Sequence, residues 1–260
     1  MNPLFAAADE AAFRTALRGG LGAYPTYYGE MAPINRAGPV VLGRPATPPH
    51  LDAAGFAAAI AGGARVVDGR SRTEFAAAHL PGSLNIELGD SFASYVGWFV
   101  PFGAPVALVL PEPLGETLEA ATVQLFRIGY DRVVGALTGG VATEEAAGGV
   151  LAAYPTTTIE ALHGDAIAGG NAYALDVRDP HEWREEGVAP GAMRIPLGDL
   201  PGQLASIPRD APVTVMCRSG ARASIAASLL DAAGIDVRLV ARGGAPDWPG
   251  GRASAEAPTR

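Results

Sequence analysis

The feature that most constrains the fold of this chain is an internal repeat. The stretch RVVDGRSRTEFAAAHLPGSLNIEL, residues 65–88, returns as YALDVRDPHEWREEGVAPGAMRIPL, residues 173–197. Asp68 in the first stretch corresponds to Asp176 in the second, and the offset between matching residues stays near a hundred. A period of this length is too long for a solenoid repeat and fits two copies of one small domain.

Each copy alternates apolar runs with helical patterns. In the second copy, AYALDV and APVTVMC are short apolar runs typical of buried strands. A helical pattern follows from Ala223 to Ala233, and Gly234 is placed to end it. Strand, helix and strand in this order predict a parallel sheet covered by helices, with functional loops at the carboxyl ends of the strands. The predicted fold class is therefore α/β, with two domains that are each a small, mainly parallel sheet flanked by helices.

The chain has one cysteine, Cys217, and it stands at such a carboxyl end. The loop after it precedes a predicted helix, whose first backbone N–H groups have no partner within the helix. Those groups, the helix dipole and the guanidinium groups of Arg218 and Arg222 would favour a thiolate at neutral pH. Gly220 permits the backbone angles of a tight turn, and Ser219 adds a hydroxyl donor. The loop is thus predicted to cradle an anion or the outer sulfur of a persulfide.

Purely structural interpretations of these residues stay open. A lone cysteine after an apolar run is often a packed small hydrophobic residue, although arginines around a Ser-Gly pair are hard to explain by packing. Arg222 has two candidate roles, anion binding and an ion pair with Asp176 or Asp179. Asp176 and Arg178 are predicted to support the structure, because Asp176 ends a strand with a loop to brace.

Composition and charge exclude several classes of function. A formal charge of −8 and a pI near 5.0 work against binding phosphate backbones, so no nucleic-acid partner is predicted. One cysteine excludes an internal disulfide framework, and the four histidines form no metal-binding cluster, so neither a metal nor another cofactor is predicted. The chain shows no signal-peptide pattern and no apolar stretch of membrane-spanning length. We therefore expect a soluble, cytoplasmic protein with no membrane partner.

The motifs of the second copy resemble the rhodanese-like sulfurtransferase domain. They are LDVRDPHEW, PGAMRIPL, CRSGARA and a Gly-Gly pair followed by tryptophan, in this order, and the resemblance covers residues 157–251. It implies that Cys217 takes a sulfane sulfur from a donor, holds it as a persulfide and passes it to a thiophilic acceptor. It further implies that Arg218, Ser219, Gly220, Ala221 and Arg222 form the substrate-binding loop around the persulfide.

The same resemblance implies which partners the second copy has and where it departs from the family. The implied partners are a small sulfur donor, such as thiosulfate or glutathione persulfide, and a thiol acceptor. Val188 stands where many members of the family have a histidine. That histidine is not part of the loop, so the implied chemistry is unaffected.

The first copy, residues 47–146, resembles the same family but has no cysteine. Its corresponding loop reads LPEPLGET, with Glu112 and Glu116 and no arginine. A carboxylate there would repel an anionic donor and cannot carry sulfur. We interpret this copy as an inactive rhodanese-like domain that supports or shields the active one. His79 keeps the histidine position that the second copy has lost and is predicted to be structural.

The N-terminal extension, residues 1–46, carries a further resemblance. GLGAYPTYYGEMAPINRAGP, residues 20–39, is similar to the segment that closes the metallo-β-lactamase-fold domain in fusion proteins related to persulfide dioxygenases. We interpret the chain as a truncated or separately encoded tail of such a fusion. A persulfide dioxygenase of the metallo-β-lactamase fold is accordingly a further expected partner.

Three classes of function compete. The first is a sulfurtransferase, and the second is a phosphatase or an arsenate-reductase-like enzyme that uses the same cysteine. Four residues separate Cys217 from Arg222, one fewer than related phosphatases use around a tetrahedral phosphate, which favours sulfur transfer. The third is a non-catalytic interaction or sulfur-delivery module for a metallo-hydrolase partner, and the retained cysteine argues against it for the whole chain.

Overall fold

The structure, a computed structural model, describes residues 7–19, 24–38, 41, 43–169 and 172–254. It contains two five-stranded sheets in which the described strand pairs are all parallel. The strands of the first sheet are β1 (His50–Leu51), β2 (Arg65–Asp68), β3 (Leu84–Asn85), β4 (Val106–Val109) and β5 (Val133–Leu137). Those of the second are β6 (Thr156–Thr158), β7 (Tyr173–Asp176), β8 (Met193–Arg194), β9 (Val213–Met216) and β10 (Val237–Arg242).

Helices flank both sheets. In the first half of the chain they are α3 (Ala53–Ala61), α4 (Arg72–Ala77), α5 (Phe92–Phe99), α6 (Leu114–Arg127) and α7 (Val141–Ala146), and α1 (Glu10–Gly19) and α2 (Tyr28–Ala37) precede the first sheet in sequence. In the second half they are α8 (Ile159–Ile167), α9 (Pro180–Glu186), α10 (Leu200–Gln203) and α11 (Ala221–Ala232). Short 3-10 turns cover Leu197–Asp199, Leu204–Ser206 and Ala245–Asp247.

The two sheets have the same topology. The strand order is β1-β5-β4-β2-β3 in the first sheet and β6-β10-β9-β7-β8 in the second, so each strand has its counterpart at the same place. The central strands β4 and β9 are buried along their whole length, as their apolar sequences require. The predicted fold class, α/β with two small parallel sheets flanked by helices, is confirmed. The domain boundaries at 47–146 and 157–251 stay predictions.

Helix α11 contacts both halves of the chain. It contacts β9 and β10 of its own sheet and β3 of the other. Residues Ala223 to Ser228 are consecutively buried, so α11 has no solvent-facing side along that stretch. One apolar cluster includes side chains from both halves, among them Leu108 and Val215 of the central strands. The helix that follows the cysteine loop is therefore covered by the first copy.

Polar contacts reinforce this junction. The backbone N–H of Asn85 donates to Ser228 Oγ at 3.1 Å, and the Ser224 hydroxyl donates to Asn85 Oδ1. His79 is buried, with Nδ1 2.8 Å from the Phe75 carbonyl oxygen and Nε2 3.1 Å from Asp231 Oδ2 on α11. These contacts support the predicted structural role of His79.

Val188, which replaces the family's histidine, is held in place by backbone hydrogen bonds. Val188 is buried and forms an antiparallel bridge with Ala253, as His79 does with Ala152 in the first half. The two-way N–H to carbonyl bonds of each bridge do not depend on the side chain. The departure from the family pattern at Val188 therefore leaves the backbone arrangement unchanged.

Part of the N-terminal segment docks on the first half. The Thr26 N–H and hydroxyl both donate to the Gly97 carbonyl oxygen of α5, at 2.8 and 2.9 Å, and Tyr27 packs closely against Gly97. Of the segment interpreted as the end of a metallo-β-lactamase-fold domain, residues 20–23 and 39 lie outside the described part, as do residues 1–6, 40 and 42 of the extension. In the described part of the chain, no helix is both long and apolar enough to span a membrane.

Candidate active site

Cys217 follows the last residue of the central strand β9, and α11 begins at Ala221. The helix that the sequence pattern predicted from Ala223 thus begins two residues earlier in the structure. Because β9 lies between β10 and β7, its carboxyl end is the middle one among the carboxyl ends of the five parallel strands. This is where parallel α/β sheets place their functional loops.

The environment of the Cys217 sulfur combines burial with a polar contact. The residue is 2% exposed and belongs to the large apolar cluster, which by itself fits a packed hydrophobic residue. The Gly220 N–H, however, donates to Sγ at 3.1 Å. Gly220 caps the N-terminus of the twelve-residue α11 with φ at 96°, a left-handed angle that favours glycine. The sulfur thus sits at the positive end of a helix dipole with one backbone amide aimed at it.

The segment that begins with Gly243 and Gly244 packs against the backbone of the cysteine loop. The Ala245 N–H donates to the Cys217 carbonyl oxygen at 2.9 Å. A methyl group at Gly244 would overlap the carbonyl oxygens of Cys217 and Arg218. The second glycine of the Gly-Gly motif after β10 is thereby explained, since only a residue without Cβ allows the two backbones to approach so closely.

The guanidinium of Arg222 is engaged by carboxylates of α9 and its cap. Nη2 lies 2.7 Å from Glu182 Oε1, and Nη1 lies 2.5 Å from Glu182 Oε2 and 3.1 Å from Asp179 Oδ2. Burial would lower the pKa of Arg222, but the hydrogen bond and charge of Glu182 outweigh it and raise that pKa. Of the two roles left open for Arg222, the structure shows the ion pair, with Asp179 but not with Asp176.

Sequence reasoning missed Glu182 as a residue of the site. Its signal was present, because Glu182 completes a capping box by accepting the Asp179 N–H at 2.9 Å. A capping glutamate usually faces solvent, and only the fold turns this one toward the loop helix. Burial raises the pKa of Glu182, but hydrogen bonds from Arg222 and the Asp179 amide outweigh it and lower the pKa from 4.5 to about 2.

We expect Glu182→Gln to destabilise the protein by about 2 kcal/mol at pH 7, because a hydrogen bond between charged groups is weakened. A carboxylate with a lowered pKa stabilises the fold above pH 4.5 and loses that contribution as pH falls toward 2. The gap between wild type and variant should therefore close over this interval in urea unfolding at a series of pH values. A gap independent of pH would contradict the assignment.

Arg178 and Asp176 form a buried brace below the loop. Both side chains are 0% exposed, with Nη2 and Oδ2 2.8 Å apart. Arg178 also donates to the Gly187 carbonyl oxygen at 2.7 Å and reaches Glu186, which in turn pairs with Arg218. These contacts support the predicted structural role of Asp176 and Arg178. Arg218 itself is 60% exposed in its side chain.

The first half contributes residues to the site that sequence reasoning did not identify. Arg72, at the start of α4, donates through Nη1 to the Ser219 carbonyl oxygen. Tyr95 of α5 lies near Arg222 and Cys217, and burial is the main cause of its raised pKa. No local pattern marks either residue, because their position at the loop results from the docking of the two halves.

A cavity of about 530 Å³ lies beside the loop, between the two halves. Its apolar walls come from Ile86, Leu88, Tyr95 and Pro111 of the first half, and from Ile225 of α11. Three carboxylates, Glu74, Glu87 and Asp90, also line it. Ala221 of the predicted substrate-binding loop also lines it. The cavity is large enough for a small-molecule substrate.

The corresponding loop of the first half is occupied by its own carboxylate. At the start of α6, Glu112 Oε2 accepts the Leu114 N–H at 2.7 Å. In the second half the equivalent region directs an amide at Cys217 Sγ. The first loop therefore already holds an anion, which supports the interpretation of this copy as inactive.

The α/β fold, with a cysteine at the end of a parallel strand and a glycine amide on its sulfur, is an arrangement suited to a reactive cysteine. A family model described as a rhodanese-like domain matches residues 160–249. A sulfurtransferase of Allochromatium vinosum is 36% identical over 74 residues, which are 28% of this chain and 68% of that protein. YtwF of Bacillus subtilis, which carries a provisional sulfurtransferase name, is 35% identical over 78 residues, 30% of this chain and 74% of that protein. The chain belongs to the rhodanese-like family.

These matches support a sulfurtransferase function in general terms. Among solved structures, a metallo-β-lactamase of Staphylococcus aureus is 25% identical, with a TM-score of 0.41, over 51% of this chain and 35% of that one. A TM-score of this size adds no argument to the resemblance of the N-terminal extension.

Proposed function

We propose that this protein is a sulfurtransferase that moves sulfane sulfur from thiosulfate or a small persulfide to a thiol acceptor through a Cys217 persulfide. The observation that carries the proposal is the Gly220 N–H, which donates to Cys217 Sγ at 3.1 Å at the N-terminus of α11. Such a position stabilises negative charge on sulfur, both on the thiolate and on a persulfide.

In the first displacement, the thiolate attacks the outer sulfur of the donor. With thiosulfate, a bond forms between Sγ and the outer sulfur, and the bond between the two sulfur atoms of thiosulfate breaks. Its electron pair leaves with sulfite, and the enzyme keeps a persulfide with one negative charge. With glutathione persulfide, the leaving group is the glutathione thiolate.

In the second displacement, an acceptor thiolate attacks the outer sulfur of the enzyme persulfide. The bond to Sγ breaks, its electron pair returns to Cys217, and the acceptor leaves as a persulfide. Cyanide can replace the thiol in an assay and leaves as thiocyanate. No proton transfer is needed in either displacement, so the reaction requires no general base.

The exposed part of the loop is suited to the donor. We propose that Arg218 and Ser219, both exposed, contact the anionic end of the donor, while Ala221 borders the cavity between the two halves. Arg222 is held by Glu182 and Asp179, so we propose that it keeps the first turn of α11 in place. The engaged guanidinium also argues against a phosphatase, which would need it for phosphate.

The proposal extends to the other parts of the chain. We propose that residues 47–146 are an inactive rhodanese-like domain that covers α11, supported by the side chains that both halves contribute to one apolar cluster. A persulfide dioxygenase of the metallo-β-lactamase fold remains the proposed macromolecular partner.

The test of the proposed function is intact mass spectrometry after incubation with thiosulfate or glutathione persulfide. We expect the mass of one added sulfur atom on the peptide that contains Cys217, and its loss after addition of cyanide or a thiol. A phosphate-ester assay in parallel should show no turnover. Hydrolysis of the ester without sulfur loading would overturn the proposal in favour of a phosphatase.

A further inference from the structure

A hydrogen bond connects the cysteine loop to the half of the chain that has no cysteine. Arg72 Nη1 donates to the carbonyl oxygen of Ser219, across 147 positions of sequence. Ser219 itself is exposed, so its carbonyl group could otherwise be solvated by water. The arginine therefore replaces a solvent contact by a charged and directional one.

Contacts within the first half hold the Arg72 side chain in position. Its backbone N–H and its Nε donate to Glu87 Oε1 at 2.8 and 3.1 Å, and Nη2 donates to Glu87 Oε2 at 2.6 Å. The side chain is 20% exposed. A guanidinium held by a two-oxygen contact with a carboxylate loses little further freedom when it binds a third group.

The carbonyl that Arg72 holds and the amide that contacts the sulfur belong to one peptide group. The Ser219 carbonyl and the Gly220 N–H lie on either side of the same C–N bond, which is trans. In a planar trans peptide the two groups point in opposite directions. Arg72 donates to the carbonyl oxygen of this peptide group, and the N–H of the same group donates to Cys217 Sγ at 3.1 Å.

We propose that Arg72 is a positioning residue for sulfur transfer, which acts through the Ser219–Gly220 peptide to hold and polarise the amide that stabilises the Cys217 sulfur. The inference rests on the proposed function of Cys217. A cation on the carbonyl oxygen makes the N–H of the same peptide a stronger donor, since hydrogen bonds in a chain polarise one another. It also opposes rotation of the peptide plane, which would turn the amide away from the sulfur.

The residue at position 220 fits this arrangement. A Cβ there would overlap the Arg72 guanidinium and would lie 2.9 Å from the Ala241 carbonyl oxygen. Glycine is therefore required at position 220 for two reasons. It adopts the left-handed backbone angle, and it leaves the space through which Arg72 reaches the loop. The other titratable groups near Cys217 are Arg222 on α11, which is a cation, and Tyr95 on α5, whose pKa is raised by burial, so that its phenol is neutral near pH 7.

The test compares Arg72→Ala and Arg72→Lys with Arg132→Ala in the full chain. Arg132 is a matched control, because its Nη1 donates to the Gly103 carbonyl oxygen at 2.7 Å in the same half, away from the loop. The first readout is the rate of Cys217 alkylation by iodoacetamide as a function of pH, which requires no sulfur transfer. The second is the rate of sulfur transfer from thiosulfate to cyanide. Thermal unfolding shows that each variant is folded.

We expect Arg72→Ala to shift the alkylation profile upward by roughly one pH unit and to slow transfer roughly tenfold at neutral pH. Arg72→Lys should restore part of both, and Arg132→Ala should change neither. An alkylation profile unchanged in folded Arg72→Ala would overturn the positioning role. A shifted profile without any sulfur loading of the wild type would instead refute the proposed function, so the two failures are distinguishable.

Discussion

Replacing Cys217 by serine is expected to lower sulfur transfer by roughly a thousandfold or more, to the level of the uncatalysed reaction. A serine hydroxyl stays protonated at neutral pH and cannot hold a sulfane sulfur as a stable intermediate. The chain has one cysteine, so no second thiol can replace it. The smaller oxygen still accepts the Gly220 N–H, and we therefore expect the loop and the fold to be preserved.

The measurement is the rate of thiocyanate formation from thiosulfate and cyanide, with thermal unfolding of the same samples. Ser228→Ala is a suitable control, because Ser228 is also buried on α11 but contacts Asn85 rather than the sulfur. Turnover retained in the Cys217→Ser variant would rule out the persulfide mechanism. Loss of folding would make Cys217 a packing residue, which is the alternative that its burial leaves open.

Replacing Arg178 by methionine is expected to destabilise the protein by about 3–5 kcal/mol, because one partner of a buried ion pair is removed. The charge of Asp176 would remain with no cation against it, and both side chains are 0% exposed. Methionine fills much of the arginine volume, so the loss reports charge rather than a cavity. The bonds to Glu186 and to the Gly187 carbonyl oxygen are lost as well.

Urea unfolding measures this effect, and the repeat supplies an internal comparison. Arg70 forms the same pair with Asp68 in the first half, but its side chain is 12% exposed, so Arg70→Met should cost less. Combining Arg178→Met with Asp176→Asn should recover part of the stability, since no uncompensated charge remains. A loss below about 1 kcal/mol for Arg178→Met would show that water reaches the site.

Much of the fold could be predicted because it follows from local patterns that occur twice. The run APVTVMC is apolar and β-branched and became the buried central strand β9, and Gly234 follows the end of α11 as expected. Asp179 and Pro180 begin α9 because a capping residue and a proline fit the first turn of a helix. The shared strand order of the two sheets agrees with the repeat, since two similar sequences fold alike.

The parts of the site that could not be predicted depend on contacts between distant elements. Glu182 was visible as a capping residue, but its ion pair with Arg222 spans 40 positions. Arg72 and Tyr95 belong to a copy that itself has no cysteine, and nothing near them in sequence indicates chemistry. Local periodicity reports which side of an element is buried, but not which other element covers it.

The sequence alone determined two similar α/β units, a cysteine at the end of a buried strand and a glycine-containing turn before a helix. These depend on backbone propensities and on apolar periodicity, which act over a few residues. Only the tertiary structure decided that α11 is covered by the first half, that Arg222 is bound by Glu182, and that Arg72 reaches the Ser219 carbonyl. Those contacts form when two apolar surfaces dock, and the docking geometry depends on the shapes of both surfaces together.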